Sequence, residues 1–222
     1  NRYKNRTWEL YNLADDRCET NNLIDSHSGK AKELEAEWLV WAKRVKVSPY
    51  YSHAAANPAK KIKKLKKDDQ GFYILKHGDQ VAREHAPPFV KKSIEIKLSV
   101  TRGKEKGGVL ISHGGSRSGY SLYLEDGKPV FSCRLAGALH TFRAPKALPE
   151  GRASLSATLL SDGRVSLKME NEILAEGKLP GLFSSHPQDP LEIGNDTQST
   201  VANYSTSPRF KGKVNEAKLK LK

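Results

Sequence analysis

The sequence predicts a mainly β protein, an antiparallel sandwich or barrel preceded by a short strand and helix. Residues 94–100, 120–124 and 155–159 alternate between apolar and polar side chains, which is the two-residue period of half-buried strands. Asp126-Gly127 and Asp162-Gly163 each separate two such alternating segments, and this pattern strongly favours a β-hairpin. No long helical period lies between the strands, so we expect antiparallel sheets without crossover helices.

Residues 1–48 predict a strand, a turn and a helix. Trp8–Leu13 alternates large apolar and polar side chains, and Asp15-Asp16 supplies the turn. From Ser28 the apolar spacing becomes three and four, which places one set of residues on one helical face: Ala31, Leu34, Trp38, Trp41 and Val45. One strand and one helix cannot bury a core, so this face needs a partner surface. The partner is either the remainder of a longer protein or the domain that follows.

Residues 49–70 predict a linker. Pro49 ends the helix, and the segment then becomes rich in lysine: Lys60, Lys61, Lys63, Lys64, Lys66 and Lys67. The lysine-rich segment is either a solvated connector or a patch for a polyanion. We do not expect this segment to bind nucleic acid, because neither arginine nor aromatic residues are interleaved with the lysines.

The composition limits the partners of the chain. Of 222 residues, 38 are Lys or Arg and 25 are Asp or Glu, which gives a net charge of +13. Such an excess favours polyanionic partners, among them nucleic acid, sulfated glycan and acidic membrane. No segment approaches the roughly 18 apolar residues of a membrane span. The chain begins with Asn1 rather than Met, as expected for a fragment of a longer protein. Cys18 and Cys133 lie in different predicted units, so we expect them to be unpaired.

Residues 71–222 contain a series of landmarks: early strands at 107–115 and 119–131, a central hairpin at 162–172, and closing strands at 191–194 and 210–219. In this order they resemble the laminin G-like family of concanavalin A-like sandwiches. This resemblance implies a β-sandwich of the concanavalin A-like jelly-roll type over about 150 residues.

Residues 8–45 contain, in order, Trp8–Leu13, Asp15-Asp16, Asn21–Leu23 and a helix that ends near Trp38 and Trp41. This order resembles the C-terminal subdomain of the sulfatase family, with Asn12 where Asp is commoner. The resemblance implies that residues 1–48 are the terminal strand and helix of a sulfatase, a sulfuric ester hydrolase. It further implies a parent catalytic domain as partner, Ca²⁺ in that parent domain, and a periplasmic or extracellular location.

The segment itself lacks the sulfatase nucleophile. That family converts a Cys or Ser to formylglycine within a Cys/Ser-x-Pro-x-Arg motif. Neither Cys18 nor Cys133 is followed by Pro and Arg at these positions, and the segment from Ser185 has Asp189 where Arg is required. We therefore expect no catalytic residues and no cofactor in this segment, whereas the parent protein is expected to be a sulfatase.

A glycoside hydrolase is a less favoured alternative. Such enzymes need two carboxylates on either side of the scissile bond. Glu170, Glu172 and Glu176 have offsets of two and six, and the first two are predicted at a hairpin tip. No Trp follows residue 41 to stack on a sugar, and the seven histidines lack metal-ligand spacing.

Carbohydrate binding is the remaining function. By alternation, the outward side chains of the central strands include Tyr123, Ser132, Arg134, Ser166 and Lys168. Tyr123, Arg134, Lys168 and Arg143 are the candidate binding residues, because a guanidinium pairs with an anion and a tyrosine stacks on a sugar ring. The alternative is a solvated sheet face without a ligand.

Two aspartates are candidate ligands of a structural Ca²⁺ ion at the edge of the sandwich. They are Asp126 and Asp196, and the resemblance to laminin G-like domains implies this role. The alternative for each is a simple turn residue.

The sequence thus predicts the noncatalytic C-terminal region of a sulfatase-like hydrolase. Its sandwich is expected to bind sulfated or other polysaccharide. The alternative is a structural accessory domain that packs on the parent catalytic domain.

Overall fold

The computed structural model describes residues 8–44 and 65–222. The chain divides into two compact units, residues 1–60 and residues 61–222. The predicted boundaries at residues 48 and 49 lie outside the described residues, and the division into 1–48, 49–70 and 71–222 stays a prediction.

The first unit contains one helix, α1 (Ser28–Arg44), where the apolar spacing predicts it. The predicted strand at 8–13 is wrong, because these residues have no strand partner in the described part of this unit. The segment is instead tied down locally, since Leu10 O accepts a hydrogen bond from Leu23 N at 2.7 Å. The Trp8 ring packs edge-on against Trp38, with centroids 5.5 Å apart.

The second unit contains twelve strands among the residues that the structure describes. Their bounds are β1 (Tyr73–Leu75), β2 (Gln80–Val81), β3 (Ile94–Arg102), β4 (Gly108–Gly114), β5 (Gly119–Glu125), β6 (Lys128–Leu135), β7 (Ala138–Arg143), β8 (Gly151–Leu159), β9 (Arg164–Met169), β10 (Glu172–Lys178), β11 (Leu191–Ile193) and β12 (Lys213–Leu221). Residues 65–70 lead into β1, and Leu65 packs against the core of this unit.

The strands form two six-stranded antiparallel sheets. Sheet A has the order β1-β12-β3-β8-β9-β10, and sheet B has the order β2-β11-β4-β5-β6-β7. Both predicted Asp-Gly hairpins are confirmed, β5–β6 at Asp126-Gly127 and β8–β9 at Asp162-Gly163. Asp126 and Gly127 both have positive φ, 51° and 76°, as a two-residue turn of the hairpin type requires.

The core lies between the sheets, where the alternating apolar residues of both sheets meet. In β3 the four predicted inward residues are buried: Ile94, Ile96, Leu98 and Val100. The inner face of sheet B contributes Leu122, Phe131 and Ile111 to the same cluster. The predicted mainly β, antiparallel sandwich is therefore confirmed.

Both cysteines are free, as the sequence predicts. Cys18 is exposed and Cys133 is buried in the core. Within residues 8–44 and 65–222, no helix is both long and apolar enough to cross a membrane.

Candidate functional site

A row of polar side chains crosses the outer face of sheet B. The row contains one residue from each of the six strands, in strand order Gln80, Glu192, Ser112, Ser121, Ser132 and Thr141. Its central members are buried although they point away from the core. Something other than the sandwich core must therefore cover this face.

Residues 195–209, in the loop between β11 and β12, cover this face, and we call them the cover segment. The Ser112 hydroxyl donates a hydrogen bond to Asn195 O at 2.9 Å. Ala202 packs against Val109, Tyr123 and Val130, which lie on the outer side of sheet B. The cover segment therefore shields the middle strands of this face from solvent.

Tyr123 is not an exposed binding residue, which corrects the prediction. Its outward direction is right, but only 3% of its surface is exposed. The ring packs edge-on against Tyr204 of the cover segment, with centroids 4.9 Å apart, and its hydroxyl lies 3.3 Å from that of Ser132. Tyr123 therefore holds the cover segment and offers no ring face for a sugar. Ser132 is buried in the same way.

The other candidate binding residues lie on two different faces. Arg134 is half-buried on sheet B, where its guanidinium donates to Val201 O at 2.7 Å and to Gly137 O at 3.0 Å. Arg143 is exposed at the end of β7 and forms an ion pair with Glu125. Lys168 lies on sheet A, opposite Ser156, so the four predicted residues do not form one surface.

Three carboxylates are buried beneath or beside the cover segment: Asp189, Glu192 and Asp196. Thr197 donates to Glu192 from its amide and its hydroxyl, both at 2.6 Å, and the Ser199 hydroxyl donates to Asp189. Asp196 accepts from Val201 N at 3.0 Å and from the Tyr204 hydroxyl at 2.5 Å. Burial raises the pKa of Asp196 to about 6 against these hydrogen bonds.

Asp126 and Asp196 do not meet as ligands of one ion. Asp126 is exposed in the β5–β6 turn, whereas the Asp196 carboxylate binds the cover segment that folds over sheet B. Among residues 8–44 and 65–222, no group of three or more His, Cys, Asp or Glu side chains is placed to hold a metal ion. A structural Ca²⁺ in the sandwich stays a prediction without a ligand set here.

The Tyr204→Phe variant tests the hold on the cover segment. We expect it to lower the free energy of unfolding by about 1.5–3 kcal/mol at pH 7, because a buried carboxylate loses its hydroxyl donor while the ring stays. Urea unfolding measures this loss. The control is Tyr73→Phe, since the Tyr73 hydroxyl has no hydrogen bond among the described residues, and it should change stability by less than about 0.5 kcal/mol. Equal losses in both variants would contradict the assignment.

The outer face of sheet B stays open at both edges: Gln80 is exposed at the β2 edge, and a larger open area lies at the β7 edge. We call it the β7 surface and define it by Arg134, Leu139, Thr141, Arg143 and Tyr204. All five are exposed or half-buried. The surface combines two guanidinium groups, a hydroxyl, an aliphatic side chain and a partly exposed tyrosine ring. These are the groups that hydrogen-bond and pack against a sugar.

The glutamates considered for hydrolysis are engaged elsewhere. Glu170 lies in the β9–β10 turn with φ 52° and accepts a hydrogen bond from Ser154 N at 2.8 Å. Glu172 forms an ion pair with Lys146, and Glu176 is exposed on β10, the edge strand of sheet A. These glutamates do not form a pair across a cleft, as glycoside hydrolysis requires.

The sequence did carry a signal for the cover segment. Val109 and Val130 occupy outward positions next to Tyr123, where a solvated face would have polar residues. A cluster of apolar residues on the outer side predicts a covering element. It does not say which remote segment supplies that element.

Comparison with known proteins supports the fold. No family model matches the chain, and no curated protein matches it. Two structures of the CBM40 of the Ruminococcus gnavus IT-sialidase, one of them bound to α2,3-sialyllactose, each match 67% of this chain and 88% of their own. Their identities are 11% and 13%, with TM-scores of 0.50 and 0.51. Domains LG4-5 of the mouse laminin α1 chain match 68% of this chain and 38% of their own, with 13% identity and a TM-score of 0.47.

At such low identity the two CBM40 structures show the fold alone. The second unit is a β-sandwich of the jelly-roll type, with its strands in two antiparallel sheets. The comparisons show no sulfatase relationship for residues 8–45.

Proposed function

We propose that the second unit is a noncatalytic carbohydrate-binding module. The β7 surface carries the proposal, because at this open edge of sheet B two guanidinium groups lie beside a hydroxyl and a partly exposed tyrosine ring. The CBM40 structure that shares this fold is bound to α2,3-sialyllactose, which supports the proposal by analogy.

The β7 surface is organised before any ligand arrives. Two backbone carbonyls, Val201 O and Gly137 O, fix the Arg134 guanidinium, and the Thr141 hydroxyl lies 3.0 Å from that of Ser132. Groups held in one geometry lose little conformational entropy on binding. Arg143 keeps an exposed guanidinium beside them, which suits a sugar that carries a carboxylate or a sulfate.

A glycan array probed with the full chain tests this function. We expect saturable binding to a subset of glycans, and we expect Arg143→Gln to weaken it about tenfold, because an exposed guanidinium contact to an anionic sugar is lost. Arg164→Gln is the matched control. Arg164 begins β9 of sheet A, is exposed, and forms an ion pair with Asp162. Binding to no glycan at all, or equal losses in the two variants, would contradict the proposal.

A structural role is the second candidate, and the first unit favours it. Large apolar side chains are exposed on this unit, since Trp8, Val40 and Trp41 are 51%, 72% and 45% exposed. A cluster of exposed apolar side chains is typical of a surface that packs against another domain. The sulfatase parent, its Ca²⁺ and a periplasmic or extracellular location belong to this proposal. Hydrogen exchange of residues 34–44 with and without a sulfatase catalytic domain tests the role. Protection that appears only with that domain is the expected result, and unchanged exchange would count against it.

A further inference from the structure

One end of the sandwich collects cations from both sheets. Three connections meet there: residues 103–107 between β3 and β4, residues 126–127 between β5 and β6, and residues 207–212 before β12. We call their cationic side chains, together with those at the adjoining strand starts, the basic rim: Lys104, Lys106, Lys128, Arg209, Lys211 and Lys213. Five of them are exposed and Lys128 is half-buried.

Backbone contacts hold these connections together. Gly127 N donates to Lys106 O at 2.6 Å, which joins the first connection to the β5–β6 turn. Val109 N donates to Pro208 O at 2.8 Å, which joins the start of β4 to the third connection. A side chain at Gly212 would meet Thr101 O at 2.6 Å, so the third connection also lies directly against the end of β3. The cations are therefore neighbours in a fixed arrangement.

The basic rim is not neutralised within the unit. None of its six cations forms an ion pair with any residue in the described ranges 8–44 and 65–222. The carboxylates of the same connections are Glu105 and Asp126. Glu105 is half-buried and accepts a hydrogen bond from Gly103 N at 2.9 Å, and its carboxylate also lies against Gly212 of the third connection. Asp126 is exposed in the β5–β6 turn. Six cations and these two carboxylates leave a net charge of +4 at this end. By contrast, Arg143 and Lys146 nearby are both ion-paired.

His77 of the neighbouring β1–β2 connection lies near two cations of the basic rim. Its Nδ1 accepts a hydrogen bond from Val214 N at 3.2 Å. Burial lowers the pKa of His77, and the charges of Arg209 and Lys213 lower it further.

The basic rim adjoins the β7 surface. Arg143 pairs with Glu125, and Glu125 lies opposite Lys128 across the β5–β6 hairpin. A chain of sugars on the β7 surface can therefore continue onto the basic rim. The rim also reaches from Lys128 of sheet B to Lys213 of sheet A, and packed sheets lie about 10 Å apart.

We propose that the basic rim binds the sulfate groups of a sulfated polysaccharide, as an extension of the β7 surface. This inference rests on the proposed function and adds the ligand class and a second contact region. Nucleic acid fits the rim less well, because binding of single strands relies on exposed aromatic rings. Phe210 is the aromatic residue of these three connections, and it is 1% exposed.

Binding of heparin and of chemically desulfated heparin to the full chain tests the inference. The rim variant combines Lys104→Gln, Lys106→Gln and Lys211→Gln. The control variant combines Lys91→Gln, Lys92→Gln and Lys178→Gln, which remove the same charge at the opposite end of the sandwich. We expect the unsubstituted chain to bind heparin more tightly than desulfated heparin. The rim variant should bind heparin about tenfold more weakly than the unsubstituted chain, and the control variant should stay within about twofold of it.

The salt dependence and a second polyanion sharpen the test. Raising the salt from about 0.05 M to about 0.15 M should lower the heparin affinity of the unsubstituted chain more than that of the rim variant, because the rim variant has fewer cations for the salt to screen. Equal losses of heparin affinity in the rim and control variants would overturn the inference. Equal affinity of the unsubstituted chain for heparin and for duplex DNA would overturn it too. Neutral glycan binding without heparin binding would overturn only the inference. Binding to neither would remove the proposed function as well.

Discussion

Phe89→Ala is expected to lower the free energy of unfolding of the second unit by about 3–5 kcal/mol. Phe89 lies in the connection between β2 and β3 and is completely buried. Its ring packs edge-on against His113 and Phe183, each with centroids 4.7 Å apart, and against Tyr120 at 5.3 Å. Truncation leaves a cavity in an aromatic cluster, and edge-on pairs contribute beyond their buried area. Native domains have only about 5–15 kcal/mol of stability, so the loss is large.

Urea unfolding of the parent, Phe89→Ala and Ile173→Ala measures the effect. Ile173 is the control, because it is 50% exposed on β10 and should cost less than about 1 kcal/mol. A loss below about 1.5 kcal/mol for Phe89→Ala would mean that this aromatic cluster does not close the end of the sandwich.

The second large effect is a pH dependence carried by His113. Its side chain is buried among Phe89 and Tyr120, and its Nδ1 lies 3.4 Å from the Tyr120 hydroxyl. Burial lowers the pKa of His113 to about 3, with a smaller contribution from His186. A histidine whose folded pKa is depressed stabilises the fold above its unfolded pKa, and this stability is lost as the pH falls. The loss approaches about 1.4 kcal/mol per pH unit well below the unfolded pKa. The unfolded histidine is already half-protonated at pH 6.5, so the loss between pH 6.5 and pH 4.5 is about 2 kcal/mol.

Asp196 acts in the opposite direction over the same range. Its folded pKa is raised to about 6, so its contribution is full below the unfolded value of 3.8 and is lost as the pH rises through 6. As the pH falls from 6 to 4, the Asp196 contribution increases while the His113 contribution decreases. The free energy of unfolding of the unsubstituted chain should therefore depend less steeply on pH than either group alone would make it.

Two variants separate the contributions of His113 and Asp196. As the pH falls from 6.5 to 4.5, the stability of His113→Gln should increase relative to that of the unsubstituted chain. As the pH falls from 6 to 4, the stability of Asp196→Asn should decrease relative to that of the unsubstituted chain. Chemical unfolding at each pH gives the two difference curves. Two difference curves with slopes of the same sign would contradict the placement of one of these groups.

Local sequence patterns predicted the strands and hairpins well, because each depends on neighbouring residues. The alternation of Ile94, Ile96, Leu98 and Val100 fixes which side faces the core. The Asp126-Gly127 turn needs two positive φ angles, and this pair of residues adopts them at little cost.

The candidate site was less predictable, because it depends on contacts between remote segments. Alternation gave Tyr123 its correct direction, but residues 195–209, more than 70 positions later, decide that it is buried. The same holds for Asp196, which appears in the sequence as a turn residue and is in fact a buried acceptor for Tyr204. Trp8–Leu13 shows the converse failure, since a strand pattern forms no strand without a neighbouring strand.

The basic rim also depends on topology. Lys106, Lys128 and Lys211 are up to about 100 residues apart in the chain, and antiparallel pairing brings their connections to one end. Composition predicts the charge excess of the chain, but not the surface on which the cations of remote segments meet. The lysine-rich segment lies mostly outside the described residues.

Backbone amide chemical shifts, followed while the full chain is titrated with a short glycan selected from the array, test the central claim most directly. The account predicts saturable shifts at Leu139, Thr141 and Arg143 and at residues 201–204, with the other sheet unchanged. Saturable binding with shifts confined to the outer face of sheet A, around Ser156 and Lys168, would contradict it. So would a titration in which no amide shifts reach saturation.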